Sequence, residues 1–381
     1  MRGSQRPILK SQWFGVLFLA ALVGAPPCGT RSDSRAPDLT LPGAVHASHL
    51  HQPWRPATLC AKEEATSKVA EADFPYRWEM ERYTENPILQ AVPGTWEANW
   101  FVVGDVLKTD GKYYMYYCAS DKGNKNSRLG LALSNDGITW KRHPNNPIWD
   151  RAWQHFLRDV RVYRFGEKDY WLYHSDGDQH IDLARSADGI HWRYDDKNPV
   201  LTITQPWEAL IMQPRILRVG DNWTMWYSTY EGKPRVTGMA TSKDGMHWSK
   251  YKNNPVLPLG EPGAWDDFSA FQPSVFRQDG CFHMIYTGSS KANPTGYRWG
   301  YACSPDGIHW TKYPHNPIFV PGDKDAWDGG KVSCHTLVRT GPATFNIYYA
   351  ASPKPQATYQ GIGMVRARLK KTPSPATQAG Y

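Results

Sequence analysis

Short apolar runs, each bounded by Gly, Pro, Asn or Asp, fill the chain from about residue 73 to 370 and recur in a fixed order. An apolar run comes first (DVL, VRVY, PRIL, PSVF, TLV). An aromatic run follows: KYYMYY at 112–117, DYWLY at 169–173, NWTMWY at 222–227, CFHMIY at 281–286 and FNIYY at 345–349. A run with small residues is next (GLALS, DLARS, GMATS, GYACS). It leads into SNDGITW at 134–140, SADGIHW at 186–192, SKDGMHW at 242–248 and SPDGIHW at 304–310. Asn-Pro and an aliphatic residue close each unit. A Trp-acid or Trp-polar pair precedes each first run: Trp96-Glu97, Trp153-Gln154, Trp207-Glu208, Trp265-Asp266 and Trp327-Asp328.

The tryptophans of the four phrases, Trp140, Trp192, Trp248 and Trp310, are 52, 56 and 62 residues apart. Four strand-like runs within such a period make a propeller blade. Asp-Gly supplies the turn between the third and fourth strands, because Gly tolerates the positive φ that such turns need. The Ser hydroxyl and Asp carboxylate are placed to accept from the turn's backbone N–H groups. The Trp opens strand four and is expected between blades, and Asn-Pro ends that strand. The fifth unit has a third strand, GIGMVRARL (361–369), and then the chain runs out. Its fourth strand is YRWEMERYTENPIL (76–89), with Trp78 and Asn86-Pro87. The pattern therefore predicts an all-β, five-bladed β-propeller with four antiparallel strands per blade, its N-terminal strand closing the C-terminal blade.

Composition adds detail. With 18 Trp, 21 Tyr, 30 Pro and 32 Gly, the chain suits many short strands and turns. Its formal charge of +8 is scattered, which argues against a nucleic-acid partner. Residues 1–25 read as a signal peptide: Arg2, Arg6 and Lys10 precede the apolar run Trp13–Val23 and Val23-Gly24-Ala25. Export is expected, to a secreted or periplasmic location, with no membrane insertion after cleavage. Residues 26–72 read as a linker, 73–370 as the propeller and 371–381 as a tail. Six cysteines, Cys28, Cys60, Cys118, Cys281, Cys303 and Cys334, show no metal-binding spacing and read as buried free thiols rather than disulfides.

Five blades, the S-x-D-G-[IM]-[HT]-W phrase and the Asn-Pro exit together resemble the five-bladed glycosidase superfamily. That group holds arabinanases and xylosidases (family 43), invertases and levanases (family 32), anhydrogalactosidases (family 117) and mannoside phosphorylases (family 130). The phrase is also similar to the Asp-box of sialidases, which has an extra residue between Asp and Gly and sits on six blades. The resemblance covers about 73–370. It implies a carbohydrate substrate, no required cofactor, and carboxylates at the mouth of the central channel, one to attack or activate water and one to protonate the leaving oxygen. Any metal is left open, apart from a structural Ca2+ in the channel.

Aligning the first strands puts Val103, Asp159, Gln213, Gln272 and His335 in one column, and Asp105, Arg161, Arg215, Ser274 and Leu337 two residues on. Leu157-Arg158-Asp159-Val160 resembles the Arg-Asp-Pro motif of family 32, which implies that Asp159 binds substrate and stabilises the transition state; a buried Arg–Asp pair is the plainer alternative. Blades 1 and 3 depart from the family pattern at Val103 and Met212. Asp105 is then the candidate nucleophile or base. Glu208 is the candidate acid, although it and Glu97 belong to the Trp-acid pairs. His335 is read as an acid, a neighbour of the channel Ca2+, or a structural residue. Arg158, Arg161, Gln213, Arg215, Gln272 and His335 are the expected substrate contacts, with Trp100 as the stacking platform and Trp149 and Trp299 as further loop tryptophans. The leading expectation is an exported hydrolase of plant or algal poly- or oligosaccharides. A phosphorylase would use Arg161 and Arg215 for phosphate. A non-catalytic carbohydrate-binding propeller is the other class, supported by the residues at Val103 and Met212.

Overall fold

The computed structural model describes residues 74–372, apart from 124–125, 151–156, 178, 206–207, 232–233 and the side chains of 230 and 231. All of them belong to the second of two units of the chain, Arg55–Tyr381. The expected signal peptide and linker, together with Cys28, Cys60, Trp153, Gln154 and Trp207, lie outside the described residues.

The chain begins with β1 (Tyr76–Arg82) and β2 (Leu89–Gln90). Blade 1 follows as β3 (Trp100–Thr109), β4 (Lys112–Ser120), β5 (Arg128–Ser134) and β6 (Lys141–Arg142). Blade 2 is β7 (Leu157–Gly166), β8 (Asp169–Asp176), β9 (His180–Ser186) and β10 (Arg193–Tyr194), with β11 (Leu201–Thr202) also on β9. Blade 3 is β12 (Glu208–Val219), β13 (Asn222–Glu231), β14 (Arg235–Ser242) and β15 (Trp248–Lys250). Blade 4 is β16 (Ser269–Gln278), β17 (Cys281–Ser290), β18 (Asn293–Ser304) and β19 (Thr311–Lys312). Blade 5 is β20 (Lys331–Arg339), β21 (Thr344–Ser352) and β22 (Gly361–Lys371). Each blade is antiparallel, and a lone parallel bridge, Arg235↔Ser269, links blades 3 and 4. The inner strands β3, β7, β12, β16 and β20 touch in that order and β20 touches β3, so the ring is closed.

Closure follows the sequence pattern. Strand β1 pairs with β22 from Tyr76↔Lys371 to Arg82↔Val365 and becomes the fourth strand of blade 5. The apolar core lies between blades, in five layers. Val102, Tyr116 and Leu131 meet Val160, Val162 and Leu172 between blades 1 and 2, and Tyr173 and Leu183 meet Ile211, Ile216 and Met225 between blades 2 and 3. Burying both faces of the sheets in this way is why their strands read as nearly continuous apolar runs. Trp140 packs on Tyr348 of blade 5, Trp192 on Tyr116 of blade 1, Trp248 on Tyr173 of blade 2 and Trp310 on Trp226 of blade 3.

The S-x-D-G phrase does a second job at the same contacts. In each copy the Ser Oγ accepts from the Gly N–H, and the Asp carboxylate accepts from the two following N–H groups. The Gly carbonyl is then aimed at the neighbouring blade. It accepts from Tyr348 Oη at Gly137 (2.8 Å), Tyr116 Oη at Gly189 (3.0 Å), Tyr173 Oη at Gly245 (2.7 Å) and Trp226 Nε1 at Gly307 (2.9 Å). Ile285 holds the matching place in blade 4 and has no donor, and the blade it faces, blade 5, has no phrase. Gly189 has φ of +74°, and a Cβ there would stand 2.7 Å from Tyr116 Oη. Gly189→Ala should therefore cost roughly 2 kcal/mol, from left-handed strain and the displaced hydroxyl, read as a lower urea midpoint. An unchanged midpoint would show that this turn does not lock blades 1 and 2.

Candidate functional site

Each inner strand carries a β-bulge near its N-terminal end, opposite the second-strand position held by Tyr117, His174, Tyr227, Tyr286 and Tyr349. The first bulge residues are Val103, Asp159, Gln213, Gln272 and Cys334. The last four have φ between +49° and +58°, an uncommon conformation for residues with a side chain and a frequent mark of functional positions. Two residues on lie Asp105, Arg161, Arg215, Ser274 and Thr336.

Blade 5 is thus one residue out from the sequence alignment: Cys334, not His335, shares the column with Asp159, and Thr336, not Leu337, shares the next. Blade 5 has no Gln-Pro to mark the bulge, and a slip of one residue exchanges the faces of a strand. His335 is 1% exposed, lies at hydrogen-bond distance (3.1 Å) from the Ile285 carbonyl through Nε2, and burial pushes its pKa down to about 3. It is a neutral structural imidazole, not an acid.

Asp159 is the first bulge residue of blade 2 and is half-buried. Burial raises its pKa above the usual carboxylate value, against the opposing pull of Arg158, Arg161, Arg235 and a hydrogen bond from Gln213. The Gln213 backbone N–H donates to Ser175 Oγ at 2.9 Å. Gln272 Oε1 accepts from Thr287 (2.8 Å), Ser333 (2.6 Å) and the Cys334 N–H (3.1 Å). Arg235 of blade 3 donates to Tyr297 Oη of blade 4 at 2.6 Å and lies over Phe271, while Lys331 of blade 5 lies over Tyr359 and donates to the Pro355 carbonyl. Burial pushes the Lys331 pKa down to about 8 and the Cys334 thiol up to about 11. Arg235, Lys331, Tyr297, Tyr359 and Cys334 were missed by the sequence reading. The first four lie outside the repeat columns that were aligned.

Asp105, expected as nucleophile or base, sits one pleat deeper and is 6% exposed. Its carboxylate accepts from Thr336 Oγ1 (2.5 Å), the Val162 N–H (3.0 Å) and its neighbour Val106 N–H (3.0 Å), with Arg215 Nη1 at 3.7 Å. It ties blades 1, 2, 3 and 5 together at the axis. Arg161 donates to the carbonyls of Gly104 and Val160, and Arg215 faces Asp105, so both guanidinium groups serve that axis. One engaged carboxylate beside two guanidinium groups does not fit Ca2+, which takes six to eight oxygen ligands.

Glu208, expected as the acid, belongs to a clamp repeated in four blades. Its Oε1 accepts from Tyr227 Oη (3.0 Å), and its Oε2 from Lys250 and from the N–H groups of Thr204 and Gln205 (3.1 Å each). Glu97 holds Tyr117 and Arg142, Asp266 holds Tyr286 and Lys312, and Asp328 holds Tyr349 and Arg82 in the same way. Trp100 lies within β3 at 7% exposure and Trp299 is fully buried, so both are core residues rather than platforms; Trp149 packs on Tyr194 and His174. Cys118, Cys281, Cys303 and Cys334 are free thiols.

Residues 158–258 match the family described as beta-1,4-mannooligosaccharide phosphorylase, glycoside hydrolase family 130. An uncharacterized protein of Mycobacterium tuberculosis is 25% identical over 49% of this chain, which spans 66% of that relative's length. The 1,2-beta-oligomannan phosphorylase of a Thermoanaerobacter species is 25% identical over 58% of this chain and 75% of its own. The crystal structure of a glycosyl hydrolase from Bacteroides ovatus superposes with a TM-score of 0.61 at 18% identity, over 75% of this chain and 93% of that one. In fold the chain is similar to solved glycosidase structures of this kind, and its residues 158–258 are similar to the family-130 model.

Proposed function

We propose that the protein cleaves glycosidic bonds of an oligo- or polysaccharide at the channel mouth, with Asp159 donating the proton to the leaving oxygen. The observation that carries this reading is one half-buried carboxylate whose pKa is raised by desolvation, set at a left-handed bulge in a column it shares with Gln213, Gln272 and Cys334. Burial keeps the acid protonated at a higher pH than an exposed Asp, and Gln213 orients it. An exported enzyme of this kind would meet polysaccharide outside the cell.

A specific feature favours phosphate over water as the acceptor. Hydrolysis needs a second carboxyl across the pocket, as nucleophile or base. Among the described residues, the bulge column holds Asp159 as its one carboxylate, with Arg158 and Arg235 acting on it and Lys331 beyond Cys334. Inorganic phosphate brings its own nucleophilic oxygen, and cations near the mouth suit its charge. The phosphorylase names of the matching family and of one relative support this reading, while a structural neighbour of the same family is described among glycoside hydrolases.

The test is to incubate the full chain with manno-oligosaccharides and with plant and algal oligosaccharides, with and without inorganic phosphate. Phosphate-dependent release of a sugar 1-phosphate supports phosphorolysis, and free sugar at equal rate without phosphate supports hydrolysis. Glycan binding with neither product would mean a recognition propeller and end the enzymatic reading.

A further inference from the structure

Blade 2 is the one blade whose clamp is rebuilt. In blades 1, 3, 4 and 5 the second-strand tyrosine faces a glycine across the ladder: Tyr117↔Gly130, Tyr227↔Gly238, Tyr286↔Gly300 and Tyr349↔Gly363. A Cβ on Gly130 would stand 2.2 Å from the Tyr117 ring, so ring and glycine are paired choices. In blade 2 the pair is His174↔Asp182. The clamp's base is also gone, because Tyr194 stands where the other blades have Arg or Lys. The next cross-strand pair on the same face is Asp176↔His180. The smaller imidazole leaves space, and the sequence fills it with carboxylates.

We propose that Asp176, His180 and Asp182 form a binding site for one divalent first-row transition ion, which takes over the clamp's work in blade 2. One ligand atom from each lies within 4.8 Å of the others. His180 Nε2 is 3.5 Å from Asp182 Oδ1 and 3.9 Å from Asp176 Oδ2. A second observation points the same way. Asp182 is 4% exposed, yet among the described residues its Oδ1 has no hydrogen-bond partner, and the ion contact it makes there, at 3.5 Å, is with His180, a member of the cluster. A carboxylate is seldom buried in this way with a single imidazole at 3.5 Å as its described partner. The His180 side chain is 27% exposed, which gives an ion a way in from solvent. Two carboxylates and one imidazole suit Zn2+ or Mn2+, while the nitrogen donor disfavours the all-oxygen preference of Ca2+. Three protein ligands leave the remaining positions to water.

The site is tested on the full chain stripped with EDTA, then titrated separately with ZnCl2 and MnCl2. Bound metal is read by mass spectrometry after desalting and by loss of the free-Mn2+ EPR signal. One ion per chain and a rise in melting temperature are expected. In Asp182→Asn and His180→Gln the affinity should fall at least about tenfold, with circular dichroism unchanged. If Asp182→Asn does not fold, the more exposed His180→Gln decides. No ion on the wild-type chain, or equal binding by a folded variant, overturns the proposal.

Discussion

Asp159→Asn should lower kcat by about 10²–10⁴-fold, the usual contribution of a positioned proton donor, with no loss of fold. Asn keeps the shape and accepts from Gln213, but it has no proton to give. The pH profile carries a second, independent sign. A donor works only while protonated, so activity falls as pH rises through its pKa. Burial has moved that value upward, so the alkaline limb should lie above the range of an ordinary Asp, and it should vanish in Asp159→Asn. A variant that keeps wild-type kcat on the best substrate would remove Asp159 from the chemistry, whatever the acceptor.

Lys250→Met should lower stability by about 3–5 kcal/mol, because it strands a buried carboxylate. The Glu208 side chain is 0% exposed and that of Lys250 is 9% exposed. The Tyr227 hydroxyl and two backbone N–H groups would remain on Glu208, but the compensating charge would not. Adding Glu208→Gln to Lys250→Met should recover much of the loss, since the stranded charge goes with it. Urea midpoints of the single and double variants measure this. The same series separates the two roles read for Glu208. A clamp residue loses stability when changed to Gln and keeps kcat under conditions where the protein is folded. A fall in kcat with an unmoved midpoint would return Glu208 to the active site.

The architecture was legible because every blade repeats the same local requirements. A turn that needs Gly, a Ser and Asp to hold its N–H groups, an aromatic to meet the next blade and the Asn of Asn-Pro, whose Oδ1 accepts from a third-strand N–H at Asn146, Asn198, Asn254 and Asn316, each leave one letter at a fixed spacing. The candidate site was legible only where it coincided with that spacing. Asp159 was singled out because Arg158 and Val160 frame it in blade 2. Cys334 was missed because a bulge adds a residue that no spacing rule locates, and in blade 5 His335 stands where blades 3 and 4 have Pro. Arg235 and Lys331 came from strand starts, where the repeat imposes nothing. Glu208 and Asp105 had the right chemistry in the wrong company: one is held by Tyr227 and Lys250, the other by Thr336 and the Val162 N–H. The exchange of Tyr and Gly for His174 and Asp182 was visible in the aligned strands, but its meaning depended on which residues face each other across the ladder.

The pairing of β1 with β22 also has a consequence for how the protein is made. Residues 76–82 leave the ribosome before the rest of the propeller, and their partners, 365–371, leave after the other four blades. While the intervening blades are made, β1 has no sheet to join, and the chain carries an open edge able to pair with other strands. Ring closure thus waits for β22. A cut that removes β22 frees β1 as well, so the loss of one strand opens the ring from both sides.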